Sequence, residues 1–360
     1  MAEYIKTLNY TFDRKASCKD IVKRAGVLSP SKVTIRNHPI THPVALFNAT
    51  CTLIDDKFLV FARMILGYYM YVSAVVKIEL SLDDILTRQV SHKHYEGEII
   101  LYPSTMYDIW GVEDPRLTVL NDKLIITYSG RTIRYFDPSS SYGRVLPMVA
   151  SSPIENEEGG WIKHGALVLS KGIRENVIAD KDAFIIRSPN NDLFLFHRPH
   201  ITYCEHSNPY TRESYHLAIS RVKDEVLNTV FQESEVSDTT EVLSPAYFER
   251  SLGWGTPPVE VERNKYIALV HATDNITQTY RAFAIAFSFS SYPLSILSLT
   301  PEYIFEPKET YEVYGDRPMV VFPCGLAKVD DMLIVTYGAA DSVVGFGIID
   351  ETELLGLLNL

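Results

Sequence analysis

The chain has 360 residues, 46% of them hydrophobic and 22% charged, with a formal net charge of −11. That length and composition suit a globular chain with a sizeable core and argue against disorder or a fibre. The acidic balance, with no long run of Lys or Arg, argues against a nucleic-acid partner.

At the start of the chain, MAEYIKTLNYTFDRK (1–15) lacks the apolar core of a signal peptide. Residues 1–35 read as an N-terminal segment ahead of the main fold. Five segments then share one pattern, a polar turn followed by an alternating apolar run. They are DDKFLVFAR (55–63), NDKLIITYSGR (121–131), NDLFLFHRP (191–199), RNKYIALVHATD (263–274) and DDMLIVTYGAAD (330–341). Aligned on Asp56, Asp122, Asp192, Asn264 and Asp331, they recur at intervals of 66, 70, 72 and 67 residues. Each follows a second apolar run, at 42–54, 114–120, 181–188, 257–262 and 322–329. Strand, Asp or Asn turn, strand is a hairpin signal. About seventy residues per repeat leave room for two more strands, and four-stranded units repeated radially make a β-propeller. The expectation is an all-β, five-bladed propeller formed by one domain, 1–360. The one clear helical signal is ETELLGLL (351–358), a short C-terminal helix within 350–360.

Nowhere does an apolar run approach the roughly 18 residues of a membrane helix, so no membrane partner is expected. The cysteines, at 18, 51, 204 and 324, form no CxxC pair. They read as reduced, mostly buried thiols of a cytoplasmic protein. Neither they nor the ten histidines show metal-ligand spacing, so no metal and no cofactor is expected. GxSxG, GxxxxGK[ST] and GxGxxG are all missing, which disfavours serine-hydrolase, ATP and nicotinamide chemistry.

A hairpin brings the start of its first strand beside the end of its second. Five such open ends predict a ring of polar side chains at one mouth: Asn48, Arg63, Asp114, Arg116, Arg131, Lys181, Asp182, His197, Arg198, Glu260, His271, Asp274 and Asp341. Asp114, in GVEDPRLT, reads either as a turn residue before proline or as a catalytic acid, with Glu113 a competing carboxylate. Lys181, His197 and Arg198 come from one hairpin and read either as surface ion pairs or as an anion pocket suited to phosphate. Glu260 and Glu262 share one strand face, with Glu260 the better candidate for substrate contact. Tyr107, Trp110 and Trp254 are candidates for stacking on a sugar ring, although a structural role is the favoured reading of each.

In this order, GVEDPRLT, KDAFII…HRP, GWGTPP, YEVYGDRPMVVFPCG and YGAAD resemble glycoside hydrolase family 130, from about residue 35 to the C-terminus. The resemblance implies a five-bladed propeller that acts on β-mannosides by inverting phosphorolysis or by hydrolysis. It implies that Asp114 is the proton donor, acting through a sugar hydroxyl in the phosphorylases. It implies phosphate contacts from Lys181 and Arg198, with His197 adjacent, and sugar contacts from Asn48, Arg63 and Asp341. Arg116, Arg131, Asp182, Glu260 and His271 complete the expected substrate site. Inorganic phosphate is then a co-substrate and a β-mannoside the other, in a protein that can form homo-oligomers.

Two departures keep hydrolysis open. IIRSPNN (185–191) replaces a Pro-Glu-Lys run, leaving Arg187 as a substitute cation, and Glu260 stands where some members carry lysine. A carboxylate at 260 suits a hydrolytic base. The stretch SGRTIRYFDPSSSYGR (129–144) is also unusual. Lys181, His197 and Arg198 together favour phosphorolysis, with β-1,2-mannosidase, β-mannosyltransferase and non-catalytic binding platform as the other readings.

Overall fold

All five predicted hairpins form in a computed structural model that describes residues 5–8, 10, 12–140, 142–154, 160–203 and 212–360. Cys204 lies outside the described residues. Their turns rest on Asp55, Asn121, Asp122, Asn191, Asn264 and Asp330, all with left-handed φ between 48° and 69°. Asn and Asp tolerate that conformation better than other side chains, which is why they punctuate the repeat.

Each hairpin extends into a four-stranded antiparallel group. The first is Ala45–Ile54, Lys57–Ile65, Ser73–Ser81 and Tyr95–Leu101. The second is Val112–Leu120, Lys123–Arg131, Val145–Pro153 and Ile162–Val168. The third is Val177–Arg187, Leu193–Tyr203, Leu217–Val222 and Ser237–Leu243. In the fourth, Glu249–Trp254 and Val259–Glu262 both pair with Lys265–Asp274, followed by Tyr280–Ser288 and Ser295–Leu299. The fifth is Val321–Val329, Met332–Ala339 and Val343–Asp350, completed by Lys23–Leu28 from the start of the chain. The N-terminal residues are therefore built into the sheets. Lys6–Thr7 also pairs with the third group and Val33–Ile35 with the first. The C-terminal helix spans Glu351–Leu358, with the Asp350 carboxylate accepting from the Glu353 amide at 2.9 Å.

Apolar residues fill the spaces between consecutive groups. Phe61 and Tyr128 pack between the first and second, Ile125 and Ile185 between the second and third, and Phe196 and Phe283 between the third and fourth. Ala284 and Val335 share a cluster between the fourth and fifth, and Val60 and Phe346 between the fifth and first. The order of contacts thus returns to its start. Among the described residues no helix is long and apolar enough to cross a membrane.

The first strands of the first three groups carry a β-bulge at matching places, between Phe47 and Thr50, Glu113 and Arg116, and Lys181 and Phe184. Asn48, Asp114 and Asp182 sit in these bulges with φ of 48°, 50° and 53°. A bulge turns a side chain out of the strand's alternation. Here it aims three short polar groups at one another's neighbourhood.

Candidate active site

The mouth is held by two carboxylate centres. Asp114, on the second group, accepts from Asn48 Nδ2 at 2.8 Å and from Arg63 Nη1 at 3.1 Å. Burial disfavours its charge, but Arg63, Arg116, the Asn48 hydrogen bond and Lys181 outweigh that penalty and hold the carboxyl below its ordinary range. Asp182, on the third group, meets Arg198 Nε at 2.5 Å, His271 Nε2 at 3.1 Å and Arg116 Nη2 at 3.4 Å. It too is buried, and Arg198, the His271 contact and Arg116 hold it well below the ordinary carboxylate range.

Two glycines make the approach possible. A Cβ on Gly253, in GWGTPP, would lie 2.4 Å from Asp182 Oδ2 and from the His271 ring. A Cβ on Gly338, in YGAAD, would lie 1.8 Å from Asn48 Oδ1.

Two open depressions meet at Lys181. One, of about 860 Å³, has mixed charge and is lined by Arg63, Glu113, Arg131, Lys181, Asp316 and Asp341, with Phe47, Met70, Tyr71, Tyr135 and Phe136. The other, of about 710 Å³, is lined by Lys181, Arg198, Arg250, Arg317 and His200, with Tyr215 and Tyr280 and no carboxylate. A basic hollow in a chain of net charge −11 is suited to an anion, which arginines bind through paired donors. Asp341 lies between Arg63, Asp114 and Arg317. Burial pushes its carboxyl up to about 6, with Asp114 and Asp316 reinforcing and the arginines opposing.

The structure thus brings together Asn48, Arg63, Asp114, Arg131, Lys181, Arg198 and Asp341. It places others of the expected residues elsewhere. Arg116 is fully buried, and its guanidinium is spent on the carbonyls of Gly255, Asp114 and Trp254 at 2.9–3.1 Å besides Asp182. Arg116, Asp182 and His271 therefore brace the site from beneath and do not line it. Burial, with Arg198 and Arg116 nearby, also holds the His271 imidazole below its ordinary value despite Asp182.

His197 corrects the expected phosphate set. It is fully buried, with Nδ1 2.7 Å from Asp180 and Nε2 2.8 Å from Ser220. Strand alternation turns it away from the face that Arg198 occupies. Glu260 is a second correction. The fourth group's inner strand begins at Glu249, opposite Asp274, so Glu260 pairs with Tyr266 beside the turn, where it is exposed and accepts from the Asn264 amide at 2.7 Å. It stands at the wrong end of the hairpin to touch substrate or act as a base. Arg187 is likewise at the turn end, 2.5 Å from Asp224. Asp274 caps its own loop, accepting from the amides of Ile276 and Thr277 at 2.8 Å. Trp254 is core, its Nε1 donating to Ala218 O at 3.0 Å, and Tyr107 lines a separate cavity. Trp110 packs edge-on against Phe136, 5.1 Å between centroids.

Sequence reasoning left Arg250, Arg317, Tyr71 and Asp316 unassigned and read Glu113 only as a carboxylate competing with Asp114. Arg317 and Asp316 sit in the YGDRP run, whose charged pair between glycine and proline was a readable signal. Arg250 lies on Glu249–Trp254, a strand the repeat pattern did not reveal. Among the described residues, no group of three His, Cys, Asp or Glu side chains could hold a metal ion.

The glycoside hydrolase 130 family model, described as beta-1,4-mannooligosaccharide phosphorylase, matches residues 12–360. A beta-1,2-mannobiose phosphorylase of Thermoanaerobacter sp. is 27% identical over 343 residues, covering 89% of this chain and 97% of the relative. The solved beta-1,2-mannobiose phosphorylase of Listeria innocua, in complex with beta-1,2-mannobiose, superposes with a TM-score of 0.67 at 18% identity, covering 94% of this chain and 97% of the other. A further structure, reported for members of the family that hydrolyse beta-1,2 mannosidic linkages in Candida mannan, gives a TM-score of 0.60 at 17% identity, covering 94% and 97%. At such identities the structural likeness shows the fold alone.

Proposed function

The chain belongs to glycoside hydrolase family 130, the mannoside phosphorylase family, and on that premise we propose that it cleaves β-mannosides by inverting phosphorolysis to α-mannose 1-phosphate. The observation that carries this reading is the carboxylate-free basic depression around Lys181, Arg198, Arg250 and Arg317, adjoining the depression beside Asp114 and Asp341. Phosphorolysis needs cations to hold its nucleophile and no base to activate water, whereas an inverting hydrolase needs a second carboxylate.

In this mechanism the mannosyl unit occupies the mixed-charge depression, with hydroxyls against Asp341, Arg63 and Asn48. Hydrogen phosphate, held by Lys181 and Arg198, attacks the anomeric carbon from the face opposite the leaving sugar. The new carbon–oxygen bond to phosphate forms as the glycosidic bond breaks. The leaving oxygen receives a proton delivered by Asp114 through a hydroxyl of the bound mannose, and the proton of hydrogen phosphate restores the balance. Asp114 is ionised in the free protein, so it first takes up a proton from water as the phosphate dianion beside Lys181 offsets the cations that depress it; after it has given that proton to the leaving oxygen, the proton of the newly bonded phosphate passes back to Asp114, leaving mannose 1-phosphate dianion. The fold reading that goes with this is a five-bladed propeller, supported by the five apolar clusters, each between consecutive groups.

The test is to incubate the protein with β-1,2-mannobiose and other β-mannosides, with and without inorganic phosphate, and to assay mannose 1-phosphate and free mannose. Mannose 1-phosphate formed only with phosphate is the expected result. Equal amounts of the two free sugars regardless of phosphate would make the protein a mannosidase.

A further inference from the structure

Glu113 is a heavily paired carboxylate at the mouth, and the mechanism above does not use it. It is 1% exposed and meets one cation from each of the first three groups. Arg63 Nη2 lies at 2.5 Å, Arg131 Nε at 2.6 Å and Lys181 Nζ at 3.6 Å. A buried carboxylate persists only with compensation of this kind.

The three contacts are unequal. Both arginine side chains are nearly buried, and each has a second anchor: Arg63 on Asp114 at 3.1 Å, and Arg131 on the Met70 carbonyl at 2.9 Å. The Lys181 side chain is 29% exposed, its contact is the longest, and it lines both depressions. Of the three cations it is the one free to move.

We infer that Glu113 is a positioning residue that apportions the cations of the site, fixing Arg63 and Arg131 beside the mannoside and competing with phosphate for Lys181. The inference rests on the phosphorolysis reading. Because Arg63 is divided between Glu113 and Asp114, its hold on the Asp114 carboxylate is a single contact and not a two-pronged one. Because Lys181 leans on Glu113 in the free protein, phosphate must draw it away. Each phosphate bound therefore trades one Lys181 partner for another and leaves Glu113 wholly to the arginines. Glu113 thus weakens phosphate binding while keeping Asp114 able to take up a proton.

The test uses the full chain and two variants, with calorimetric titration of inorganic phosphate alongside steady-state turnover. Glu113→Asp keeps the charge but withdraws the carboxylate by one methylene, so the longest contact, to Lys181, goes first. Phosphate should bind about fivefold tighter, the worth of one partly exposed ion pair, with kcat within about tenfold of the parent. Glu113→Gln should also tighten phosphate binding, while kcat falls about a hundredfold or more as Arg63 turns fully onto Asp114. A merely structural residue would weaken phosphate binding when altered, so the opposite movement of affinity and kcat is diagnostic. Weaker or unchanged phosphate binding in Glu113→Asp would overturn the inference. Should Glu113→Gln fail to fold, Glu113→Asp alone decides. A parent protein that releases only free mannose would refute the phosphorolysis reading instead, and calorimetry separates that failure from this one.

Discussion

Replacing Asp341 by Asn tests the electrostatics of the mouth most directly. Asp341 follows Met332–Ala339 in a left-handed conformation, φ 50°, beside Ala340 at 46°. Burial pushes its carboxyl from 3.8 up to about 6, with Asp114 adding to the rise and Arg63 opposing it. A raised acid keeps its proton in the folded chain over a range where the unfolded chain has lost it. Its effect on stability is therefore nil below about pH 4 and grows increasingly unfavourable as pH rises through about 6. At about 1.4 kcal/mol per pKa unit the whole shift is about 3 kcal/mol, and solvent contact at this half-buried group reduces it to about 2 kcal/mol. Asn keeps the shape and removes the charge. With an unfolding entropy of about 2.1 cal/mol/K per residue, Asp341→Asn should raise the melting temperature by about 3 °C at pH 7.5 and by only about 1 °C at pH 4.5, where the folded carboxyl is still protonated. Turnover should be lost in the same variant, because the proposed sugar contact goes with the charge. Calorimetric melting at the two pH values decides the matter. A variant less stable at pH 7.5, or equally stabilised at both, would refute the reasoning.

Asp114→Asn should lower mannose 1-phosphate formation by about 10²–10⁴-fold in a chain that still folds but melts at a lower temperature, since Arg63 loses a buried partner, read by coupled assay and calorimetry; full activity would remove Asp114 from its role. Arg198→Ala should raise the KM for phosphate about tenfold or more while changing the KM for mannoside little, whereas equal effects on both would mean that Arg198 acts only by holding Asp182. His197→Gln should cost about 2–3 kcal/mol of stability by leaving Asp180 or Ser220 unpaired and leave the KM for phosphate within twofold or so, as measured by denaturant melting and kinetics. Gly338→Ala should displace Asn48, whose Oδ1 lies 1.8 Å from the new Cβ, and reduce kcat with little effect on phosphate binding; a wild-type rate would show that the Asn48–Asp114 contact is dispensable.

The five hairpins were legible because their turns, two residues long in four of them and five in the third, use left-handed backbone that favours Asn, Asp or Gly, so the turns are written in composition as well as position. Asn48, Asp114 and Asp182 were legible as polar residues near the open ends, but the bulges that aim them were not. A bulge adds a residue to one strand without altering its composition. Glu260 was misplaced for a related reason. PPVEVE looked like a whole strand, while the residues that reach the mouth belong to Glu249–Trp254, cut off by Gly255–Pro258, where two prolines offer no amide to the ladder. Grouping His197 with Arg198 ignored alternation, since consecutive residues of one strand face opposite ways and only one could reach the hollow. Lys23–Leu28 pairs with Val343–Asp350 across nearly the whole chain, and no local pattern announces a partner so distant.

The repeat also explains how five similar hairpin groups bear an asymmetric site. At the bulge and at the end of the second strand, the first three groups present Asn48 with Arg63, Asp114 with Arg131, and Asp182 with Arg198. The fourth group has its bulge at Arg250 and pairs Gly253 with His271, and the fifth has Cys324 in its bulge and Asp341 just beyond the end of its second strand. Cys324 is buried there, and burial raises its thiol pKa, so it fills space and adds no charge. Gly253 and Cys324 are small and uncharged, and Asn48 stands in the first group where the second and third have an aspartate, so the acid–arginine pairing is not repeated in every group. The mixed-charge depression opens where the fifth group meets the first and second, and the basic one where the third meets the fourth. Lys181 is the side chain on both boundaries. Its partner Glu113 is therefore the point at which a change on the mannoside side should register on the phosphate side, and the reverse.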